Sequence, residues 1–130
     1  MNKTINIFKS LSDPNRLRIL KMLQISPLCV CEITEILGLS NSTVSQHLSI
    51  LKKNKFIKEN RNGRWINYSI NFNTEDERIT AILTSFDFWI GDNKQLDIDR
   101  EKIKTVNRHN ILCWYTIISV ITETKNLSYY

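Results

Sequence analysis

The sequence predicts a mainly α-helical fold with one small β-hairpin. Apolar residues recur at helical spacing through most of residues 5–53, which favours a series of short helices. The period then changes to two on either side of Asn62-Gly63, and Asn-Gly between alternating runs is the strongest short hairpin signal. A chain of 130 residues fits one compact domain.

The first part of the chain predicts two helices. A short apolar stripe over residues 5–11 is typical of the first one. Asp13-Pro14 then supplies an N-cap and a first-turn proline for a second helix, which we expect to run to about Gln24. Ser26-Pro27 ends it.

A helix-turn-helix follows. We expect one helix over roughly Cys31 to Leu37, ended by Gly38 as a left-handed C-cap. Ser40 is placed to cap the next helix, about Asn41 to Lys53, which buries apolar residues at spacings of four and three. The short turn between the two helices is typical of a DNA-reading unit.

The hairpin directly after these helices is predicted to be a wing. Its strands are Phe56–Glu59 and Arg64–Ile70, joined by a turn over residues 60–63. Together with the helix-turn-helix this indicates a winged helix-turn-helix fold.

The residues after the wing predict a long helix and an extension. Thr74 and Glu77 match a capping box that opens a helix to about Ile90, ended by Gly91. Its wide, aromatic apolar stripe predicts a partner subunit. We therefore divide the chain into residues 1–91, for DNA binding and dimerisation, and residues 92–130, an extension of uncertain structure. Within the extension, residues 92–110 favour an irregular helix, 111–121 fit either a strand or a buried helix, and the role of 112–130 stays open.

Charge and cysteine content narrow the class of protein. The net charge is +5, but residues 1–71 hold 11 Lys and Arg against 4 Asp and Glu, whereas residues 72–130 are net negative. A basic front half favours a polyanionic partner. No export signal or membrane span is indicated. Three cysteines do not make a disulfide framework, so free thiols in a reducing cytoplasm are expected.

The candidate DNA-binding residues lie on the second helix of the helix-turn-helix and on the wing. Short hydroxyls and amides on the outer face of the helix can approach base edges, and long cations near the wing tip can reach phosphates of double-stranded operator DNA. His47 fits either this surface or the edge of the core. The set is Asn41, Ser42, Thr43, Ser45, Gln46, His47, Lys52, Arg61 and Arg64.

Four ordered motifs resemble those of the ArsR/SmtB metalloregulators. They are LSDPNRLRIL at Leu11–Leu20, LCVCEI at Leu28–Ile33, LSNSTVSQHL at Leu39–Leu48, and GRWINYS at Gly63–Ser69. The resemblance spans about Ile5 to Phe88. It implies a homodimer, joined through its first and post-wing helices, that represses its own resistance operon until an inducer binds.

Cys29-Val30-Cys31 is similar to the arsenic-sensing box of that family. The resemblance implies As(III) or Sb(III) as the inducer and no constitutive cofactor; both ions are soft, and thiolates are soft ligands. On a regular helix, side chains two positions apart point in directions that differ by about 200° around the helix axis. Both sulfurs can therefore face one ion only where the first turn is irregular. The neighbouring proline and Glu32 favour partial exposure of the two thiols.

The third ligand stays open at this stage. Many arsenic-responsive members carry a third cysteine where this chain has Thr34. Cys113 is the remaining thiol and is a candidate ligand, although a lone cysteine among apolar residues is more often inert. Solvent or a small thiol is the alternative.

Other metals fit the sequence less well. Cadmium or lead sensing in this family implies cysteines before Cys29, and the sequence has none there. Zinc, nickel or cobalt sensing implies histidines on the post-wing helix, and residues 74–90 contain none; His109 lies beyond them.

Three other functions are alternatives to a metalloid-responsive repressor. A repressor that responds to oxidation or persulfidation of its thiols is the main alternative, with Cys113 as the resolving partner because Cys29 and Cys31 are too close for an unstrained disulfide. An enzyme is disfavoured, since no phosphate-binding loop or catalytic set is evident. A protein-binding winged helix would not need a basic wing.

Overall fold

The structure, a computed structural model, describes residues 1–106. The predictions made for residues 111–121, His109 and Cys113 lie outside this range. The described helices and strands, in chain order, are α1 Asn2–Ser10, α2 Pro14–Ile25, β1 Leu28–Cys29, α3 Val30–Leu37, α4 Asn41–Lys53, β2 Ile57–Asn62, β3 Trp65–Ile70, α5 Glu77–Thr84, α6 Phe86–Ile90 and α7 Lys94–Thr105. A mainly helical fold with a small antiparallel sheet is confirmed.

The helix-turn-helix forms where the caps predicted it. Gly38 adopts a left-handed conformation at φ 69°, and its N–H donates to the carbonyl of Thr34 at 2.9 Å. The Ser40 hydroxyl accepts from the N–H of Thr43 at 3.2 Å and so caps α4. The second helix then packs its apolar face inward, with Val44 and Leu48 buried.

The wing belongs to a three-stranded antiparallel sheet in the order β1-β3-β2. Pairing in the hairpin continues to Asn62 opposite Trp65, so the turn is two residues, Gly63-Arg64. The predicted four-residue turn over 60–63 was wrong because residues 60–62 continue the strand ladder and only Gly63 lies in the turn. The short strand β1 was not predicted; Leu28 and Cys29 pair with the far side of β3.

The prediction of a single long helix after the wing was also wrong. It divides at Ser85, whose N–H donates to the carbonyls of Ala81 and Ile82, so that α5 ends there and α6 begins. The N-cap of α5 is Asp76, since its carboxylate accepts from the N–H of Arg78 at 3.1 Å. The Thr74 hydroxyl instead accepts from the N–H of Asp76.

Helix α7 is regular and packs against α2 and α3. Its buried Asp99 accepts two hydrogen bonds, each 2.9 Å, from the guanidinium of Arg18 on α2. This bidentate pair raises the pKa of Arg18, first through the hydrogen bond from its side chain and also through the carboxylate charge. The domain boundary between residues 91 and 92 stays a prediction.

A continuous hydrophobic core holds these elements around α2 and the helix-turn-helix. Its largest fully buried side chains are Phe56, Ile19, Leu20, Met22, Ile33, Ile36, Leu48, Leu51, Ile57, Ile70, Ile79 and Val44. Within residues 1–106, none of the helices has the length and apolar character needed to cross a membrane.

Candidate nucleic-acid interface and thiol pocket

The outer face of α4 is polar and accessible. Ser42 and Gln46 are exposed, and Asn41, Thr43, Ser45 and His47 are half-buried. The amide oxygen of Asn41 lacks a hydrogen-bond partner within the described part of the chain. Because buried amides usually find partners, this oxygen is suited to an incoming donor at the start of α4.

His47 also links α4 to the helices before it. Its Nδ1 lies 3.2 Å from a terminal nitrogen of the Arg16 guanidinium. The same guanidinium donates to the carbonyls of Ser10 and Lys9 at the end of α1, at 2.6 and 3.0 Å. Arg16 thus joins the end of α1 to α4 through His47. A DNA contact by His47 stays a prediction.

The two wing arginines are exposed. Arg61 lies near the end of β2, and Arg64 is the second residue of the turn. The Arg64 guanidinium carbon lies 5.2 Å from the ring centroid of Trp65, within the range of a cation–π contact. Both cations are therefore available at the wing tip, and one of them rests on an aromatic side chain.

Lys52, in contrast, is already paired with an acid. Its Nζ lies 2.6 Å from Oε1 of Glu59 on β2, and the Tyr68 hydroxyl donates to the other carboxylate oxygen at 3.3 Å. The hydrogen bond from Lys52 is the largest cause that lowers the pKa of Glu59. The sequence did not reveal this pair, which ties the end of α4 to the wing.

The two cysteines of the box lie in different local structures. Cys29 is the extended N-cap residue of α3, with φ −88° and ψ 167°, and its N–H donates to the Glu32 carboxylate at 3.0 Å. Cys31 is the second residue of the helix. Because Cys29 precedes the helix, the separation of about 200° between positions two apart on a helix does not apply to this pair.

The sulfurs of Cys29 and Cys31 are buried rather than partly exposed, and the expectation of free thiols is wrong at Cys31, which is disulfide-bonded. Cys29 and Cys31 are each 2% exposed, and Trp65 packs against both. The expectation of partial exposure was wrong because β1 pairs with β3, which brings Trp65 of the wing over the box. The only sequence signal for strand β1 is the apolar pair Leu28-Cys29, and two residues are too few to predict a strand.

One pocket of about 200 Å³ brings the thiols and the wing together. It lies between the start of α3, the outer face of α4 and the wing. Its lining contains both cysteines, both wing arginines and Ser45 of α4, and none of its described lining residues is a carboxylate. The full lining is Cys29, Val30, Cys31, Ser45, Arg61, Arg64, Trp65, Ile66 and Tyr68.

Cys29 and Cys31 are the two sulfur-bearing residues that the described part of the chain places in this pocket. Within residues 1–106, no group of three His, Cys, Asp or Glu side chains is arranged to hold a metal ion. Thr34, at the position of the family's third cysteine, has a buried hydroxyl without a hydrogen-bond partner among these residues. Cys113 lies outside the described range, so its role as a ligand stays a prediction.

A helix-turn-helix with a polar second helix and a basic hairpin defines a winged helix-turn-helix transcriptional regulator. A sequence model of the bacterial regulatory protein, arsR family, matches residues 13–59. An uncharacterized HTH-type transcriptional regulator of Methanocaldococcus jannaschii is 40% identical over 86 residues, which cover 65% of this chain and 92% of that protein. The chain belongs to the ArsR family of transcriptional repressors.

Two further similarities agree with this family. The arsenic resistance transcriptional regulator ArsR2 of Pseudomonas putida is 34% identical over 92 residues, which cover 68% of this chain and 80% of the relative. The crystal structure of the transcriptional repressor BigR from Xylella fastidiosa superposes with a TM-score of 0.58 at 26% identity, covering 72% of this chain and 89% of the other.

Proposed function

We propose that this repressor responds to trivalent metalloids. Its homodimer binds operator DNA and dissociates when As(III) or Sb(III) is captured by the thiolates of Cys29 and Cys31, with Cys113 as a candidate third ligand. The observation that carries the proposal is that both cysteines of the box line one pocket together with the wing arginines.

The chemistry of the pocket supports this inducer. As(III) is soft and binds thiolates in preference to oxygen or nitrogen ligands. A cellular thiol first reduces the Cys31 disulfide and is itself oxidised to a disulfide. Capture by the two cysteine thiols then replaces two hydroxyl groups of arsenous acid and releases two molecules of water, and arsenic stays trivalent. The similarity to an arsenic resistance regulator supports the same inducer class.

The contacts around the thiols suggest how capture reaches the DNA. Cys29 is paired with Asn67 in the sheet, and Trp65 packs on both cysteines while it supports Arg64. Drawing two sulfurs onto one ion shifts the entry to α3 and displaces Trp65. Both changes move the wing and α4 away from the geometry that fits successive major grooves.

Exposed apolar side chains support a second copy as the partner. On α1, Ile5 is 42% and Phe8 is 62% exposed; on α6, Phe88 is 82% and Trp89 is 71% exposed. Arg78 at the start of α5 donates to the hydroxyl of Thr4, so α1 and α5 lie side by side. Large exposed apolar side chains on adjacent helices are typical of a subunit interface. Because the proposed partner is operator DNA, we expect the dimer to act in the cytoplasm.

The test is release from operator DNA. Fluorescence anisotropy is measured with labelled DNA from upstream of the protein's own gene, while arsenite, antimonite, cadmium, zinc or a mild oxidant is added. Release by arsenite or antimonite, but not by zinc or cadmium, supports the proposal. Release by the oxidant alone would favour the thiol-redox or persulfide-responsive repressor instead.

A further inference from the structure

We propose that His47 reads a guanine in the major groove of the operator through a hydrogen bond from its Nε2–H, and that Arg16 is the positioning residue that fixes this proton. The inference deepens the proposed function, because it rests on operator binding. It does not depend on how the inducer is sensed. It assigns one kind of base in the operator to two side chains of the protein.

The contact between Arg16 and His47 determines where the imidazole ring carries its proton. A terminal nitrogen of the Arg16 guanidinium lies 3.2 Å from Nδ1 of His47. A guanidinium donates hydrogen bonds and cannot accept them, so Nδ1 accepts this bond and carries no proton. The neutral ring then carries its proton on Nε2. His47 thus has one N–H donor, on the second ring nitrogen.

The end of α1 holds Arg16 in the orientation that this contact needs. Its Nε donates to the carbonyl of Ser10 at 2.6 Å, and a terminal nitrogen donates to the carbonyl of Lys9 at 3.0 Å. With the contact to His47, each of the three guanidinium nitrogens has a partner within the protein. A planar guanidinium that is fixed at three points cannot turn toward a phosphate without breaking a bond. The arrangement therefore favours a positioning role over a phosphate contact.

His47 lies at the edge of the polar face of α4. The residue before it, Gln46, is exposed, the residue after it, Leu48, is buried, and His47 itself is half-buried. Nε2 lies at the end of the ring that is farther from the backbone, so it can reach beyond the helix surface. One turn earlier, the hydroxyl of Thr43 lies 2.8 Å from that of Ser40, within the N-cap of the helix. The N–H on Nε2 is therefore suited to an acceptor in the groove.

A single donor in the major groove favours guanine over the other bases. Guanine presents two acceptors, N7 and O6, side by side. Adenine has an amino donor beside its N7, thymine has a methyl group beside its O4, and cytosine presents a donor. A change from G·C to A·T therefore places an amino group against the N–H of His47. We expect this change to weaken binding about fivefold or more at the base pair that His47 reads.

The experiment scans the operator with the wild-type protein and with variants of α4. Each G·C pair of the labelled duplex is changed in turn to A·T, and affinity is measured by fluorescence anisotropy without inducer. At the pair that His47 reads, His47→Ala should bind both duplexes within about twofold, and His47→Gln should accept adenine because its amide both donates and accepts. Ser49→Ala, which removes an exposed hydroxyl from the same helix, is the control and should keep the preference for G·C.

Arg16→Met tests the positioning role, because methionine is unbranched and has no donor. This variant should lose part of the preference at the same G·C pair and keep the wild-type salt slope. Adding it to His47→Ala should cause no further loss at that pair. Nitrogen-15 NMR of histidine-labelled protein at about pH 8 should show His47 with its proton on Nε2 in the wild type and a mixture of tautomers in Arg16→Met. His47→Ala identifies the signal, since the chain has two histidines.

A preference for G·C that is the same at every pair in His47→Ala and the wild type would overturn the reading of guanine, whether or not Arg16→Met folds. A wild-type His47 signal with the proton on Nδ1 would overturn the assigned tautomer. A salt slope reduced by about one in Arg16→Met, with the preference kept, would make Arg16 a phosphate contact instead. Each of these results leaves the metalloid-responsive repressor intact, whereas a wild-type protein that does not bind the operator would contradict both proposals.

Discussion

At the scale of single residues, Trp65 connects the cysteine box to the wing. It covers both cysteines of the box on one side and supports the Arg64 guanidinium on the other. The sequence suggested a packing role within the wing, but not this contact. Local pattern places Trp65 on a strand, and only the pairing of β1 with β3 determines what it covers.

The wing arginines provide the first prediction. Arg61→Ala or Arg64→Ala should weaken operator binding and reduce the slope of log affinity against log salt by about one, because each variant neutralises one phosphate fewer. Anisotropy titrations at several salt concentrations measure both quantities. Lys104→Ala is the control, since it removes an equal charge from an exposed site on α7. A slope unchanged in both arginine variants would remove the wing from the interface.

Glu59 provides the second prediction. Glu59→Gln removes a negative charge near the wing and frees Lys52, so operator affinity should rise about fivefold and its salt slope should steepen. Glu101→Gln is the matched control, because Glu101 also pairs with an exposed lysine. Affinity equal to or below wild type in Glu59→Gln would show that Lys52 does not contact DNA.

The same pair predicts a pH dependence. The folded-state pKa of Glu59 is lowered, chiefly by the hydrogen bond from Lys52. The stability from this pair is therefore present above the unfolded pKa of a glutamate and is lost as the pH falls through the lower, folded value. Below that range Lys52 is free, and the difference in affinity between Glu59→Gln and the wild-type protein should disappear.

At the scale of elements, local chemistry predicted some boundaries and long-range contacts set others. Asp13-Pro14, Gly38 and Ser40 act through neighbours a few residues away, and each lies where the sequence placed a helix end. The helix division at Ser85 and the strand β1 depend on tertiary packing. Neither feature produces a periodic pattern in the local sequence. For that reason the length of the post-wing helix and the exposure of the two cysteines were predicted wrongly.

Helix α7 provides the third prediction. Asp99 is 2% exposed and accepts two hydrogen bonds from Arg18, so Asp99→Ala leaves a largely buried guanidinium without its partner. Loss of one member of a buried pair costs about 3 kcal/mol, which urea unfolding can measure. Asp97→Ala, at an exposed ion pair on the same helix, should change the free energy of unfolding by less than about 1 kcal/mol. Similar losses in the two variants would contradict the role given to Asp99.

At the scale of the whole molecule, the proposed function requires two copies of the helix-turn-helix. The candidate interface combines exposed apolar side chains on α1 and α6. Trp89→Glu should convert the dimer to a monomer in sedimentation analysis and weaken operator binding by about tenfold or more, because one half-site is then bound without the other. Phe72→Glu changes an equally exposed aromatic residue outside those helices and should keep the dimer. A dimeric Trp89→Glu protein would place the interface elsewhere.

The family could be predicted from the sequence because the order of its motifs and their residue types are local properties. The pocket could not, since it is formed by residues from the start of α3, from α4 and from the wing. Lys52 shows the same limit: its position favours a phosphate contact, whereas its partner, Glu59, is supplied by β2.

In the proposed function, the thiols of Cys29 and Cys31 sense the inducer and take no part in DNA binding. The most direct measurement is arsenite-driven release of operator DNA from the wild-type protein, Cys29→Ser and Cys31→Ser. Serine is close to cysteine in size and lacks the soft sulfur, so both variants should bind the operator within about twofold of wild type and remain bound at arsenite concentrations that release the wild-type protein. Arsenite release that persists in both variants, or loss of operator binding before arsenite is added, would contradict the account.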